Sequence, residues 1–378
     1  MRTDLWVKKL FFLLICSFCL FPLSTHADFD ELNLPPENEF FRARVIEIIK
    51  TEGEDRAPTY QQFKAQPLEG SLDGQEIVVT QEAIHGVYNI KKIKLNETLV
   101  IYRDTLSNPE FLVHDKYRLP PLLFLFFLFL ACVVGFTGKK GIRATLSLAG
   151  SLFIIIFFVV PQIAHGANPI FISLLSALLL LLLSIYVGHG INKRTSIALV
   201  GSLSVIGLSV ILGEIFIRAG KLFGLGSNEA VLLQFGNLGT INLRGLLLAG
   251  IIIGTIGILD DVTVVQAATV EEIHNTDTTI ERKELYKKGM SIGKEHILSM
   301  VNTLVIAYTG AALPLLLFFT YQQNLPMPLW VKINGEQLSE EIVRSLIGSI
   351  VLIFAVPLTT WLAAYSYTKT YAKRNEDV

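Results

Sequence analysis

The residues best placed to do chemistry are two adjacent acids, Asp260 and Asp261, which close the run Gly250-Ile251-Ile252-Ile253-Gly254-Thr255-Ile256-Gly257-Ile258-Leu259. In hydrocarbon an ionised carboxylate costs on the order of 2.5 to 3.5 kcal/mol even on lenient scales, so it needs a partner, a water-filled cavity or the interface. Two readings follow. Either the acids line a site within the membrane, or the apolar layer ends near Leu259 and both stand among headgroups. A helix continuing past them, at about 100° per residue, would gather Asp260, Thr263, Glu271 and His274 in one narrow arc and turn Asp261 about a quarter-turn aside.

Further along, Ser299, Asn302 and Thr303 share one helix face, with Tyr308 and Thr309 deeper and Pro314 beyond. Asparagine is too polar to face lipid, so Asn302 should meet another helix or a cavity. Pro314 should kink its helix and free carbonyls for a hinge. Gly250, Gly254 and Gly257 offer a smooth surface for close helix packing. Glu341 and Arg344, at i, i+3, can pair near one end of the last span. Together these suggest a cation- or proton-binding site at Asp260 and Asp261, with Thr263, Asn302 and Thr303 as neutral ligands and Glu341 with Arg344 as an outer gate.

Such a set must be positioned by membrane helices. The 378 residues are 51% hydrophobic and only 17% charged, with mean hydropathy +0.51, too apolar for a water-soluble chain of this length. The three cysteines, Cys16, Cys19 and Cys132, all lie in apolar runs, so no disulfide framework and no metal site is expected. No cofactor is expected either, since phosphate loops, dinucleotide fingerprints, HExxH and serine–histidine patterns are missing from the sequence. An aspartyl protease would need two carboxylates brought face to face from different helices, whereas these are adjacent on one. The basic clusters are short and lie against apolar runs, which argues against nucleic acid as a partner.

The chain reads in three parts. Residues 1–27 resemble a signal peptide, basic at Arg2, Lys8 and Lys9, then apolar, with small Ala27 before Asp28; an uncleaved anchor is the alternative. Residues 28–118 form a small extracytoplasmic β domain, barrel or sandwich, with strands expected near 40–49, 76–80, 99–103 and 111–113. Residues 119–378 are a transmembrane helical bundle of about seven spans, near 119–137, 144–164, 169–188, 195–217, 243–264, 297–320 and 342–366. Segment 221–245, rich in glycine, is either an outer loop or a re-entrant element. Lys139, Lys140 and Arg143, Lys193 and Arg194, the cluster from Arg282 to Lys294, and Lys369 to Arg374 all mark cytoplasmic ends. The C-terminal tail is then cytoplasmic, in a bacterial cell membrane.

Four blocks resemble the YibE/F-like family of bacterial multi-pass membrane proteins: Gly254 to Thr263, Gly289 to Glu295, Asn302 to Gly310 running on to Pro314, and Glu341 to Ser349. Lys294-Glu295 stands where the family pattern has an Arg-Asp pair. The resemblance implies the fold, and the function rests on the residues. They point to a permease moving a small solute or ion. The alternative is a membrane-anchored interaction or regulatory protein whose β domain binds an envelope partner, the helices only holding it in the bilayer.

Overall fold

The computed structural model describes residues 39–54, 57–70, 72–82, 92–104, 110–235, 241–321 and 327–376. The signal segment lies outside them. The chain divides into two compact units, Met1–Ala131 and Cys132–Val378.

The first unit holds five antiparallel strands: β1 (Glu39–Glu54), β2 (Ala57–Pro67), β3 (Ile77–Glu82), β4 (Thr98–Asp104) and β5 (Glu110–Lys116). Their order is β3-β2-β1-β4-β5, and the edge strands β3 and β5 approach each other, curling the sheet into a half-barrel. Alternation explains the inner face: Phe41, Ala43 and Val45, then Phe63 and Ala65, Ile77 and Val79, and Leu99 and Ile101 are all buried there. Register agrees, with Ala43 opposite Leu99 and Val45 opposite Ala65. Gln61 shares that inner face, and its amide is satisfied by donating to the Ile93 carbonyl and accepting from the Ile93 N–H, both at 2.9 Å.

Helices follow: α1 (Leu119–Thr137), α2 (Lys139–Ala164), α3 (Pro169–Val187), α4 (Lys193–Ala219), α5 (Asn228–Phe235), α6 (Leu243–Thr276), α7 (Arg282–Ala311), α8 (Leu313–Tyr321), α9 (Leu329–Asn334) and α10 (Glu336–Glu376). Six of these, among the described residues, are long and apolar enough to cross a membrane: α1, α2, α3, α4, α6 and α10. The pair α7 and α8, bent by 59° at its break, makes up to a seventh. Pro314 sits in the first turn of α8, where its missing N–H costs nothing and its ring stops α7 from running on. The chain is thus an α-helical polytopic membrane protein with a small N-terminal β domain.

Asparagine caps begin three of the spans. Asn168 accepts from Ile170 N–H at 3.0 Å, Asn192 forms a reciprocal capping box with Thr195, and Asn242 accepts from Gly245 N–H at 3.0 Å. Helix α6 is the hub, packed against α3, α4, α7 and α10. Its buried positions run round the whole circumference, from Leu247, Leu248 and Ile251 to Leu259, Val262 and Val270, as expected of an interior helix. Glycines on one face of α7 let α10 approach: a Cβ on Gly293 would stand 2.5 Å from Val356 Cγ1, and one on Gly289 would stand 2.9 Å from Thr360 Cγ2.

Candidate functional site

Asp260 lies midway along α6, where Leu259 and Val262 on either side are fully buried. Beside it a cavity of about 650 Å³ opens between α2, α3 and α6, with Val133 and Thr137 from the end of α1 and Arg194 from the start of α4 completing the wall. Both acids line it, Asp260 half-buried and Asp261 exposed.

The Ser184 hydroxyl donates to Asp260 Oδ2, while Asp260 Oδ1 is buried without a partner. Ser184 owes its place to a π-helical turn, Leu183–Val187, that ends α3. A π turn widens the helix and leaves carbonyls in need of donors, and the Ser147 hydroxyl of α2 reaches the Leu183 carbonyl at 3.4 Å. A second π turn, Ile155–Val159, interrupts α2 on the same cavity wall, which Ile155 and Ser151 line. One oxygen of Asp260 is therefore fixed, and the other is buried with no hydrogen-bond partner.

Lys140, Arg143, His189 and Arg194 also line the cavity, each from a helix end or the turn beside it. Arg194 is tied to Glu271 of α6 at 3.4 Å, and Glu271 accepts from the Tyr367 hydroxyl of α10 at 2.9 Å. Lys193 donates to the Ser366 carbonyl at 2.9 Å and stands 4.4 Å over the Tyr367 ring. The ring of His274, buried, stacks at 5.7 Å on the same tyrosine. The start of α4, the far end of α6 and the far part of α10 are clamped together below the cavity.

The expected stripe on α6 is divided among its neighbours. Asp260 faces α3. Thr263, fully buried, accepts from Ser202 of α4 at 2.8 Å and donates to Leu259 O at 2.8 Å, so its hydroxyl is used in packing. Glu271 and His274 face the α4–α10 clamp. Asn302 and Thr303 stand exposed on α7, outside the cavity's lining, and Thr303 donates to Ser299 O of its own helix at 3.0 Å. The structure does not bring them to Asp260: α7 packs on the side of α6 that faces α10.

The three glycines separate in the same way. A Cβ at Gly250 or Gly257 would meet nothing within 4 Å, whereas one at Gly254 would lie 3.3 Å from the Tyr308 hydroxyl. Gly257 instead forms part of the cavity wall. Close packing falls to Gly289 and Gly293, because Gln266 of α6 must pass there to donate to Gly289 O at 3.0 Å and to Thr360 Oγ1 at 2.7 Å. Glu341 and Arg344 do pair, at 3.4 Å.

Sequence reasoning missed Ser184, Ser147 and His189, whose roles depend on π turns that leave no mark in periodicity. It also missed Glu336 and Glu340. Glu340, only 6% exposed, accepts from Gly226 N–H at 3.0 Å, and Glu336 accepts from Phe223 N–H and Leu225 N–H. The segment before α5 is thus held by carboxylates from the start of α10. Gly224, at φ 81 with Leu243 O only 2.3 Å from a Cβ, admits no other residue without a shift. α5, of eight residues, is too short to span, and residues 236–240 lie outside the described residues.

A family model described as YibE/F-like protein matches residues 125–369, the helical part of the chain including both acids and the cavity. No curated protein and no solved structure matches the chain.

Proposed function

The chain belongs to the YibE/F-like family, and from that premise and the cavity beside Asp260 we propose a permease-like protein that moves a small solute or ion through the bundle. The observation that carries this reading is a half-buried acid in the wall of a cavity, with one of its carboxylate oxygens buried and without a hydrogen-bond partner. A half-buried acid in a span marks a proton or ion path more often than a packing contact, because packing alone gains nothing from the charge. Asp260 takes up a proton or cation, Asp261 sits nearer the opening, and the bent α7–α8 pair supplies the discontinuous helix that such proteins use for movement. The protein resides in a bacterial plasma membrane with the β domain outside and the C-terminus in the cytoplasm, since the larger basic clusters lie at one set of helix ends and only scattered residues such as Arg218, Lys221, Arg244 and Lys332 at the other.

The test is uptake by vesicles containing the full chain, offered a defined mixture of organic acids, amines, sugars and inorganic ions and read by mass spectrometry. At least one solute should accumulate over protein-free vesicles, and Asp260→Asn should abolish that accumulation while inserting normally. If nothing accumulates with correctly inserted protein, the permease reading fails and the β domain becomes the place to look for function.

A further inference from the structure

The cavity's wall carries an imbalance that bears on what it holds. Four basic side chains line it, Lys140, Arg143, His189 and Arg194, against two acids, Asp260 and Asp261. Only Arg194 of the four has an ion-pair partner among the described residues, and that partner, Glu271, lies outside the lining. Lys140 and Arg143 are exposed on the first turn of α2, one helical turn apart and so on the same face. A cation near these side chains would meet their charge as well as that of the acids. An anion would be drawn to this basic rim, and an arginine fork suits carboxylate or phosphate oxygens.

The acids then have to be reconciled with an anionic guest. An ionised Asp260 would repel it, but Asp260 has one buried oxygen with no protein partner. A proton taken from water onto Oδ1 removes the charge of Asp260 and so the nearest repulsion toward the guest, with Oδ2 still held by Ser184. Anion and proton therefore favour each other's binding by linkage. The charged groups facing Asp260 are Asp261 on its own helix, His189 after α3, Lys140 and Arg143 of α2, and Arg194 of α4. The cavity, about 650 Å³, is large enough to admit a small molecule.

We propose that the cavity takes a small oxyanion, carrying carboxylate or phosphate groups, together with a proton on Asp260. This rests on the permease reading of the same cavity. The shared chemistry of the rim could also hold a lipid phosphate, so the experiment separates the two sources.

Binding of radiolabelled succinate, lactate and inorganic phosphate would be measured on the full chain in phosphatidylcholine nanodiscs, with choline and putrescine as cationic probes. In parallel, vesicles would be scored for accumulation of all five. The expected result is binding of at least one oxyanion, tighter at acid pH. It should weaken by about tenfold or more in the Lys140→Gln/Arg143→Gln double variant, as loss of charge-assisted contacts implies. Raised salt should weaken it in the unmodified protein as well, and Asp260→Asn should flatten the pH dependence. Accumulation of choline or putrescine without any oxyanion would overturn the anion and leave the permease standing. Binding of none of the three oxyanions by folded, inserted protein would overturn the anion, whereas the permease reading falls only if nothing in the wider mixture accumulates. Loss of oxyanion binding when phosphatidylglycerol enters the nanodisc would make the rim a headgroup site and overturn the solute.

Discussion

Ser184 of α3 donates its hydroxyl to Asp260 of α6, and this bond joins two spans across the wall of one cavity. It fixes one carboxylate oxygen and leaves the other buried without a partner. A hydrogen bond to a charged acceptor contributes about 1.5 to 3 kcal/mol. A double-mutant cycle of Ser184→Ala and Asp260→Asn, followed by unfolding in mixed micelles, should therefore return a coupling energy of about 1 to 3 kcal/mol. Additive single effects would show that the two groups act independently.

Packing at α7 and α10 should be far less forgiving than at the glycines of α6. A Cβ on Gly293 would stand 2.5 Å from Val356 Cγ1, whereas one on Gly250 would meet nothing within 4 Å. Gly293→Ala should cost about 1 to 3 kcal/mol through overpacking. Gly250→Ala should stay within about 0.5 kcal/mol of neutral or stabilise, since alanine is the better helix former. Unfolding midpoints of the two variants, measured side by side, check the order.

Topology gives a third expectation. Alkaline phosphatase, active only outside the cytoplasm, should be active when fused after Arg118 and inactive when fused after Thr279 between α6 and α7. A fluorescent protein that matures only in the cytoplasm should show the reverse. The opposite pattern would invert the protein and place the basic rim of the cavity on the outside.

The β domain carries an acid-sensitive contact. Glu69 receives three bonds from Arg42, from the backbone N–H at 3.1 Å, Nε at 2.8 Å and Nη2 at 2.7 Å. The guanidinium, and then the backbone N–H, hold its carboxyl below the ordinary 4.5. A depressed carboxyl contributes stability that is complete above the unfolded value and is lost as pH falls through the folded one. Hydrogen exchange at the Arg42 amide of the full chain, corrected for intrinsic rate, should accordingly show more frequent opening only as pH drops below 4.5. Glu69→Gln should remove that dependence.

The spans were readable because lipid leaves helices as the only economical backbone, so apolar length alone marks them. Strand β2 was not. Its inward residues are Gln61, Phe63 and Ala65, and a buried glutamine with a small alanine erases the alternation that betrays a strand. The cavity was half legible: Asp260 and Asp261 stand out as acids in an apolar run, but Ser184 reaches Asp260 only through a π turn. Asn302 looked like a ligand on polarity alone, yet helix packing turns it away from the cavity. The carboxylates of Glu336 and Glu340 meet backbone amides more than a hundred positions away, a pairing that no local pattern encodes.

The most direct test of the account asks whether water reaches the wall beside Asp260. In a background with Cys16, Cys19 and Cys132 replaced by serine, Gly257→Cys would be set beside Thr263→Cys, the first in the cavity wall and the second fully buried. A membrane-impermeant thiol reagent should label Gly257→Cys from the face bearing Lys140 and Arg143 and leave Thr263→Cys unlabelled. Equal silence at both positions, in protein shown to be folded and inserted, would contradict a water-filled cavity at Asp260.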